Sequence, residues 1–318
     1  MIRFGVIGAG RNGSGHARYY HESPRSEVVA VADPDTERAE GLAAEVEARA
    51  ISDYRGFLDQ VDAVVISSPN FLHRDHAVAC AEAGKHILCE KPMGLNAGEA
   101  TEIADAVRQA GVASFIGFSV RFGQTVQTMQ KLIEEGKIGR VISIWSRRMT
   151  HRVIRPDESW RSDQSLSGGL LFEINIHELD WLMALGGRVE SVYARKYARG
   201  EEGPRVNDHI WFVLDLEGGA VATHEGSWVS PIPDYYRGVI GTKGGVAEAD
   251  YGRKLLFAAC GEKTSEIERV ERFDKRAHFL DCIEKGAESL ADAEWGRRVM
   301  TVADAILESA ATGEVVQP

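Results

Sequence analysis

Along the first third of the chain, short apolar runs alternate with segments whose apolar residues fall at helical spacing. Residues 2–7, 28–32, 62–67, 86–89 and 112–117 are runs of strand length that stay apolar almost throughout, with a shorter edge piece at Ala50-Ile51. Unbroken apolar character marks strands covered on both faces, as in a parallel sheet. Between them, residues 12–20, 37–47, 73–82 and 97–109 read as helices, most clearly through Ala100, Ile103, Ala104 and Val107. Gly84 suits the C-terminal cap of the third helix. Strict strand–helix alternation predicts a doubly wound parallel sheet with helices on both faces.

After Arg121 the pattern changes. Residues 125–135 form a helix with Val126, Met129, Leu132 and Ile133 on one side, stopped near Gly136. Residues 141–148, 189–197, 209–216, 220–228 and 237–240 then alternate apolar with polar, the pattern of antiparallel strands with one buried face. Gly218-Gly219 separates two of these runs as a hairpin turn. A final helix over 295–311 places Val299, Val302, Ala303, Ile306, Leu307 and Ala310 on one stripe, with Gly313 as its cap. The chain therefore divides into 1–120 and 121–318, an α/β protein whose second domain carries an open, mostly antiparallel sheet. The free face of such a sheet needs cover. A second copy of the same sheet supplies it, which predicts a homodimer or homotetramer.

Composition narrows the class. A length of 318 residues suits two domains. The net charge of −11 argues against a nucleic-acid or anionic-membrane surface. Cys80, Cys89, Cys260 and Cys282 show no metal-type spacing and read as free thiols in a reducing compartment. The first strand starts at residue 2, and no apolar run reaches bilayer length, so a cytoplasmic location is expected.

The candidate chemistry begins at the first strand. Gly8, Gly10 and Gly13 fill a G-x-G-x-x-G pattern, with Arg11 and Asn12 opening the helix that follows. Glycines there allow a tight turn and close approach to a pyrophosphate at the helix N-terminus. A simple strand-to-helix turn uses the same residues, so the next strand decides. It ends at Asp33, about 20 residues past the last motif glycine, where an acid binds ribose hydroxyls. Its charge opposes a 2′-phosphate, and Arg38 is the nearby cation, so NAD is favoured with NADP as the alternative. Asp33 could also cap the helix after Pro34. Ser68-Pro69-Asn70, with His73 behind, ends a central strand, where doubly wound sheets bind ligands. Glu90-Lys91-Pro92 places a charged pair at the tip of the next strand.

In the second domain, Ser167-Gly168-Gly169 leads into a helix over 170–185 on which Glu173 and His177 are four apart and share a face, with Asp180 three residues on. Histidine and aspartate alone make no metal site, and no metal is assigned. Trp160 and Arg161 precede this helix as candidates for stacking on a sugar ring and binding hydroxyls. Residues 230–237 form a second candidate pocket wall, and His151, Arg152 and Arg155 a basic cluster.

Three motifs in this order carry a resemblance: Gly8 to Gly13 with His16-Ala17, residues 83–92 ending in Glu-Lys-Pro, and Gly168-Gly169 through His177 to Asp180. The chain resembles the Gfo/Idh/MocA oxidoreductase family over its whole length, including Ser227-Trp228 and the turn 241–244. The resemblance implies a Rossmann domain over 1–120 that binds NAD(P) and a substrate domain over 121–318. It implies hydride transfer to or from a secondary alcohol of a sugar, polyol or inositol. Lys91 matches the family's active-site lysine and His177 its catalytic histidine. Glu173 stands where the family often has Asp, and Asn175 where it often has Gly. Two other readings share the fold: an NAD-dependent glycoside hydrolase that oxidises its sugar transiently, and a non-catalytic dinucleotide sensor.

Overall fold

The computed structural model describes residues 1–151, 160–198 and 207–318. Contacts divide the chain into two units: Met1–Gly117 with Asp274–Met300, and Phe118–Phe273 with Thr301–Pro318.

The first unit runs β1 (Ile2–Ile7), α1 (Arg11–Glu22), β2 (Ser26–Ala32), α2 (Thr36–Glu45), β3 (Arg49–Ile51), β4 (Ala63–Ile66), α3 (His73–Glu82), β5 (His86–Cys89), α4 (Ala97–Ala110) and β6 (Ser114–Ile116). Its sheet has the order β3-β2-β1-β4-β5-β6, and every pairing is parallel. This is the doubly wound Rossmann order, which reverses between β1 and β4 and opens a crevice at their carboxyl ends. The apolar runs are buried as expected: Phe4, Val6, Val64, Val65, Ile66 and Leu88 are at most 1% exposed. The Phe4 ring stacks on Tyr20 of α1 at 3.9 Å.

The second unit holds α5 (Gln124–Glu134), β7 (Val141–His151), α6 (Gln164–Ser167), a π-helical turn (Leu171–Asn175), α7 (Ile176–Gly186), β8 (Val189–Ala198), β9 (Asn207–Leu216), β10 (Val221–Ser227), β11 (Val229–Gly241), β12 (Gly244–Ala249), β13 (Lys254–Ala259) and β14 (Ser265–Glu266). The eight strands follow the order β14-β13-β12-β11-β7-β10-β9-β8. β7 and β10 run parallel and the other neighbours antiparallel. Register explains the alternation in the sequence. Val192, Leu214, Ala222, Ile144, Val239 and Val246 pair in one row across the sheet, and all are buried. α7 packs against β7 and β10. One or three residues along from that row, Tyr193, Trp211, Val213, Tyr236 and Ile240 are exposed.

Two helices complete the chain. α8 (Lys275–Lys285) belongs to the first unit, where its Phe279 ring meets Phe4 and Phe115. α9 (Ala293–Thr312) contains the division between units, after Met300.

Three local expectations change. The helix expected as one piece over 170–185 is a π-helical turn followed by α7, so Glu173 and His177 do not share one regular α-helix. The strand expected over 237–240 starts at Val229 and absorbs the candidate pocket wall, whose Arg237 is buried in a bidentate pair with Glu248. Pro231 and Pro233 lie where the register with β7 is broken, as proline's missing N–H requires. His151 ends β7, while Arg152 and Arg155 lie outside the described residues.

Candidate functional site

In the first unit, the turn after β1 is built by two glycines that tolerate no side chain. Gly8 has φ +96°, and a Cβ on it would stand 2.6 Å from the Ser67 carbonyl oxygen. A Cβ on Gly13 would stand 1.8 Å from the Gly8 carbonyl oxygen, so α1 lies directly against the turn. Gly10 differs. A Cβ there would meet nothing within 4 Å, and its backbone is extended. Gly10 is the N-cap of α1 and supplies no side-chain cap, and Ser14 N is the amide that its carbonyl accepts. The amides of Arg11, Asn12 and Gly13 precede the first intrahelical bond.

Asp33 faces the same turn. Its Oδ2 accepts from Ala9 N at 2.8 Å and its Oδ1 from Asp35 N at 2.9 Å. The cap of α2 falls on Asp35 instead, which accepts from Arg38 N and pairs with the Arg38 guanidinium at 3.0 Å. Asp33 is therefore not the helix cap. Open space at Gly10, unspent helix amides and a carboxylate held by backbone amides fit a dinucleotide.

The β4–α3 loop is pinned from behind. His73 is 1% exposed, with Nδ1 at 2.6 Å from the Pro92 carbonyl and Nε2 at 2.9 Å from the Ser68 carbonyl. Both ring nitrogens face carbonyl acceptors, while burial lowers its pKa. His73 thus ties the Ser68-Pro69-Asn70 loop to the segment after Lys91. Ser68 Oγ also bonds His76 Nδ1 at 2.9 Å, and Asn70 is buried. The Lys91–Pro92 peptide is cis. Glu90 is 8% exposed, and its Oε1 lies 2.9 Å from His16 Nε2.

In the second unit, three expected residues converge. Glu173, in the π-helical turn and 6% exposed, accepts from Arg161 Nε at 3.3 Å. The Arg161 guanidinium lies 4.3 Å above the Trp160 ring. The turn reaches this position through Gly168 and Gly169, both left-handed; a Cβ on Gly168 would strike the Phe172 ring at 2.6 Å. His177 sits in the first turn of α7, and its Nδ1 accepts from Ser119 N at 3.4 Å, a long bond. The neutral ring then carries its proton on Nε2. An imidazolium cannot keep this contact, because its Nδ1–H would meet the Ser119 N–H. Asp180 is fully buried and pairs with Arg121 at 3.3 Å.

Asn175 ends the π-helical turn and is fully buried. Its amide nitrogen contacts His224, whose other ring nitrogen contacts Ser146. A Cβ on Gly226 would stand 2.1 Å from the same amide nitrogen, so the larger residue at 175 requires glycine at 226. Glu178 is also fully buried: Trp181 Nε1 donates to it at 2.6 Å, Arg148 Nη1 at 3.2 Å and Tyr235 OH at 3.3 Å. Burial alone would raise its carboxyl, but Arg237 and Arg148 hold it below the usual range. Sequence reasoning passed over Glu178, Arg148 and Ser119. Arg148 lies 30 residues from Glu178 and Ser119 58 from His177, and no local spacing marks those pairs.

Comparison with known proteins identifies the family and the fold. Residues 2–118 match the model of the GFO/IDH/MocA oxidoreductase family, NAD-binding Rossmann fold, and residues 126–247 match the GFO/IDH/MocA C-terminal domain. The chain is 31% identical to a 2,7-anhydro-N-acetylneuraminate hydratase from Escherichia coli, over 77% of this chain and 67% of that protein. It is 29% identical to a D-xylose 1-dehydrogenase (NADP(+)) from Haloferax volcanii, over 99% of both. A solved levoglucosan dehydrogenase, in complex with NADH and levoglucosan, matches with a TM-score of 0.89 and 26% identity, over 99% of this chain and 98% of that one.

Proposed function

The chain belongs to the GFO/IDH/MocA oxidoreductase family, and from that premise we propose that it transfers hydride between NAD and a secondary alcohol of a sugar, polyol or inositol. The observation that carries this reading is the cradle at Gly8, Gly10 and Gly13 facing Asp33. The names of the relatives, a xylose and a levoglucosan dehydrogenase, support the sugar class. The α1 amides at Arg11, Asn12 and Gly13 hold the pyrophosphate, and Asp33 accepts from the adenosine ribose hydroxyls while repelling a 2′-phosphate. Ser68, Pro69, Asn70 and Glu90 border the nicotinamide half, with His73 fixing the loop. The nicotinamide, when bound, accepts or delivers the hydride.

The chain's own residues handle the proton and the charge. An alcohol is a very weak acid, so its oxygen needs both a base and a donor as the hydride leaves. His177 exchanges the hydroxyl proton, releasing its long Ser119 contact when it becomes imidazolium. The Lys91 ammonium donates to the same oxygen, an arrangement typically worth about 3 kcal/mol of barrier. Arg161 aims Glu173, which then binds a neighbouring hydroxyl, and Trp160 offers an aromatic face to the sugar ring.

A second reading is favoured by the relative named as a hydratase. Transient oxidation by retained NAD would then serve an elimination, as in a glycoside hydrolase, with no net NADH. A panel of sugars, polyols, inositols and glycosides, with NAD and with NADP and followed at the nicotinamide absorbance, separates the two. Net NADH supports the dehydrogenase; aglycone release without NADH supports the hydrolase. No activity on the whole panel would overturn both. The exposed Tyr193, Trp211, Val213, Tyr236 and Ile240 support a homodimer or homotetramer through the second sheet. Four free cysteines support a cytoplasmic location.

A further inference from the structure

The π-helical turn Leu171–Asn175 is fastened from the sheet of its own unit. Ile176 N donates to the Leu171 carbonyl five residues back, the bond that widens the turn. Asn175 closes the turn, and its amide nitrogen reaches the His224 ring on β10. An amide nitrogen only donates, so His224 Nε2 is the acceptor and the ring proton is on Nδ1, which faces the Ser146 hydroxyl on β7. Burial keeps the ring neutral, as this arrangement requires. The Phe212 ring packs 4.9 Å from it.

Gly226 leaves room for this contact. It lies within β10, paired with Ile210 on β9 and Arg148 on β7, where glycine weakens a strand. A Cβ on it would stand 2.1 Å from Asn175 Nδ2 and 2.7 Å from His224 Nε2, so its bare backbone serves the side chain that approaches it. Two residues before Asn175, Glu173 is 6% exposed and accepts from Arg161 Nε at 3.3 Å. An extra residue in one turn rotates what precedes it by up to about 100° relative to unbroken α-winding. Where Glu173 points therefore depends on whether the turn stays wide. Gly168 and Gly169, both left-handed, give the chain before the turn freedom to rewind.

We propose that Asn175 and His224 are positioning residues: their contact holds the wide turn open and so keeps Glu173 aimed at the substrate hydroxyl beside the reacting carbon. The proposal rests on the reading of Glu173 given above. That hydroxyl is present before and during hydride transfer, so a misaimed Glu173 weakens substrate and transition state alike. The effect belongs in KM for the substrate, not in kcat or in KM for NAD. A contact that served stability alone would lower the amount of folded enzyme and leave KM unchanged.

The test compares variants of the full chain. Asn175→Ala and His224→Leu remove the contact from either side, and His224→Gln keeps an acceptor for the Asn175 amide. The double variant Gly226→Ala with Asn175→Gly removes the contact and fills the space it used. Crystal structures of Asn175→Ala and of the double variant read the winding directly, with or without turnover. Ile176 N moves from the Leu171 carbonyl to the Phe172 carbonyl, and Glu173 leaves Arg161. Kinetics use NAD with whichever of D-xylose, levoglucosan and myo-inositol turns over fastest. KM for that compound rises about tenfold or more in Asn175→Ala, His224→Leu and the double variant, while kcat stays within about twofold. His224→Gln keeps KM near the wild-type value. An unchanged π-helical turn and Glu173–Arg161 pair in both crystal structures overturn the proposal. An unchanged KM in all three variants overturns it too where Glu173→Gln raises KM. If Asn175→Ala does not fold, the double variant and the two His224 variants decide. Wild-type KM in Glu173→Gln would instead remove Glu173 from substrate binding and leave the crystal structures to judge the anchor.

Discussion

Two glycines in one motif make opposite predictions, and the contrast isolates binding from folding. Gly13→Ala puts a methyl group 1.8 Å from the Gly8 carbonyl oxygen, backbone against which no rotamer gives relief. Either α1 or the turn must shift by more than an ångström. Overpacking costs about 1–3 kcal/mol, and this rigid site belongs at the upper end, about 3 kcal/mol. At about 2–4 °C per kcal/mol for a unit of this size, Tm falls by about 6–12 °C. Gly10→Ala meets nothing within 4 Å and has an ordinary φ of −72°. Alanine is a poorer N-cap than glycine, but it also restricts the unfolded chain, and the two effects leave Tm within about 2 °C. The new methyl instead fills the space proposed for the pyrophosphate. Losing charge-assisted amide contacts there, at about 1.5–3 kcal/mol, weakens NADH binding by about 10- to 150-fold. Thermal melts without cofactor and an NADH fluorescence titration read the two effects separately. A Gly10→Ala protein that binds NADH like the wild type would take the pyrophosphate out of this turn, and one that melts as early as Gly13→Ala would show that Gly10 is packed as tightly as Gly13.

Four further outcomes follow from the same geometry. Asp33→Asn, which keeps an amide acceptor but loses the charge, lowers kcat/KM for NAD relative to NADP by about tenfold or more; an unchanged ratio in steady-state kinetics contradicts the ribose assignment. Lys91→Ala and His177→Ala each reduce kcat by at least about 100-fold while NADH still quenches tryptophan fluorescence. Gly226→Ala clashes with Asn175 at 2.1 Å and destabilises by about 2 kcal/mol, and adding Asn175→Gly recovers most of the loss, which urea melts arranged as a double-mutant cycle will measure. His224, fully enclosed, titrates at about 4 instead of 6.5 because burial disfavours its charged form. The unfolded chain takes up that proton first, so stability falls as pH drops below 6.5, by about 2 kcal/mol at pH 5. His224→Gln removes this slope, and equal pH dependence in both proteins would contradict it.

The Rossmann half was legible because its physics is local. Strands covered on both faces are apolar throughout, and glycines sit where a backbone turn admits nothing else. The alternating strands of the second sheet were legible for the same reason, since one register row is buried and the next is not. What stayed hidden depends on distant partners. β11 begins eight residues before its alternation shows, because two prolines break the register in between. The π-helical turn leaves no periodic mark, since it is stabilised by Asn175 reaching His224 and by the space at Gly226. Arg276 lies 260 residues from His16, and no spacing rule joins them. Glu173 was readable as an acid on a helix, but its Arg161 partner was readable only as a neighbour in the loop before it.

The proposed chemistry requires the amine of Lys91 and the imidazole of His177 to act on one substrate oxygen. A crystal structure of the ternary complex, with NADH and the sugar or polyol found in the panel, measures it directly. Lys91 Nζ and a ring nitrogen of His177 are both expected within about 3.2 Å of the reacting oxygen, on a carbon facing the nicotinamide. A substrate whose reacting oxygen touches neither group would contradict it.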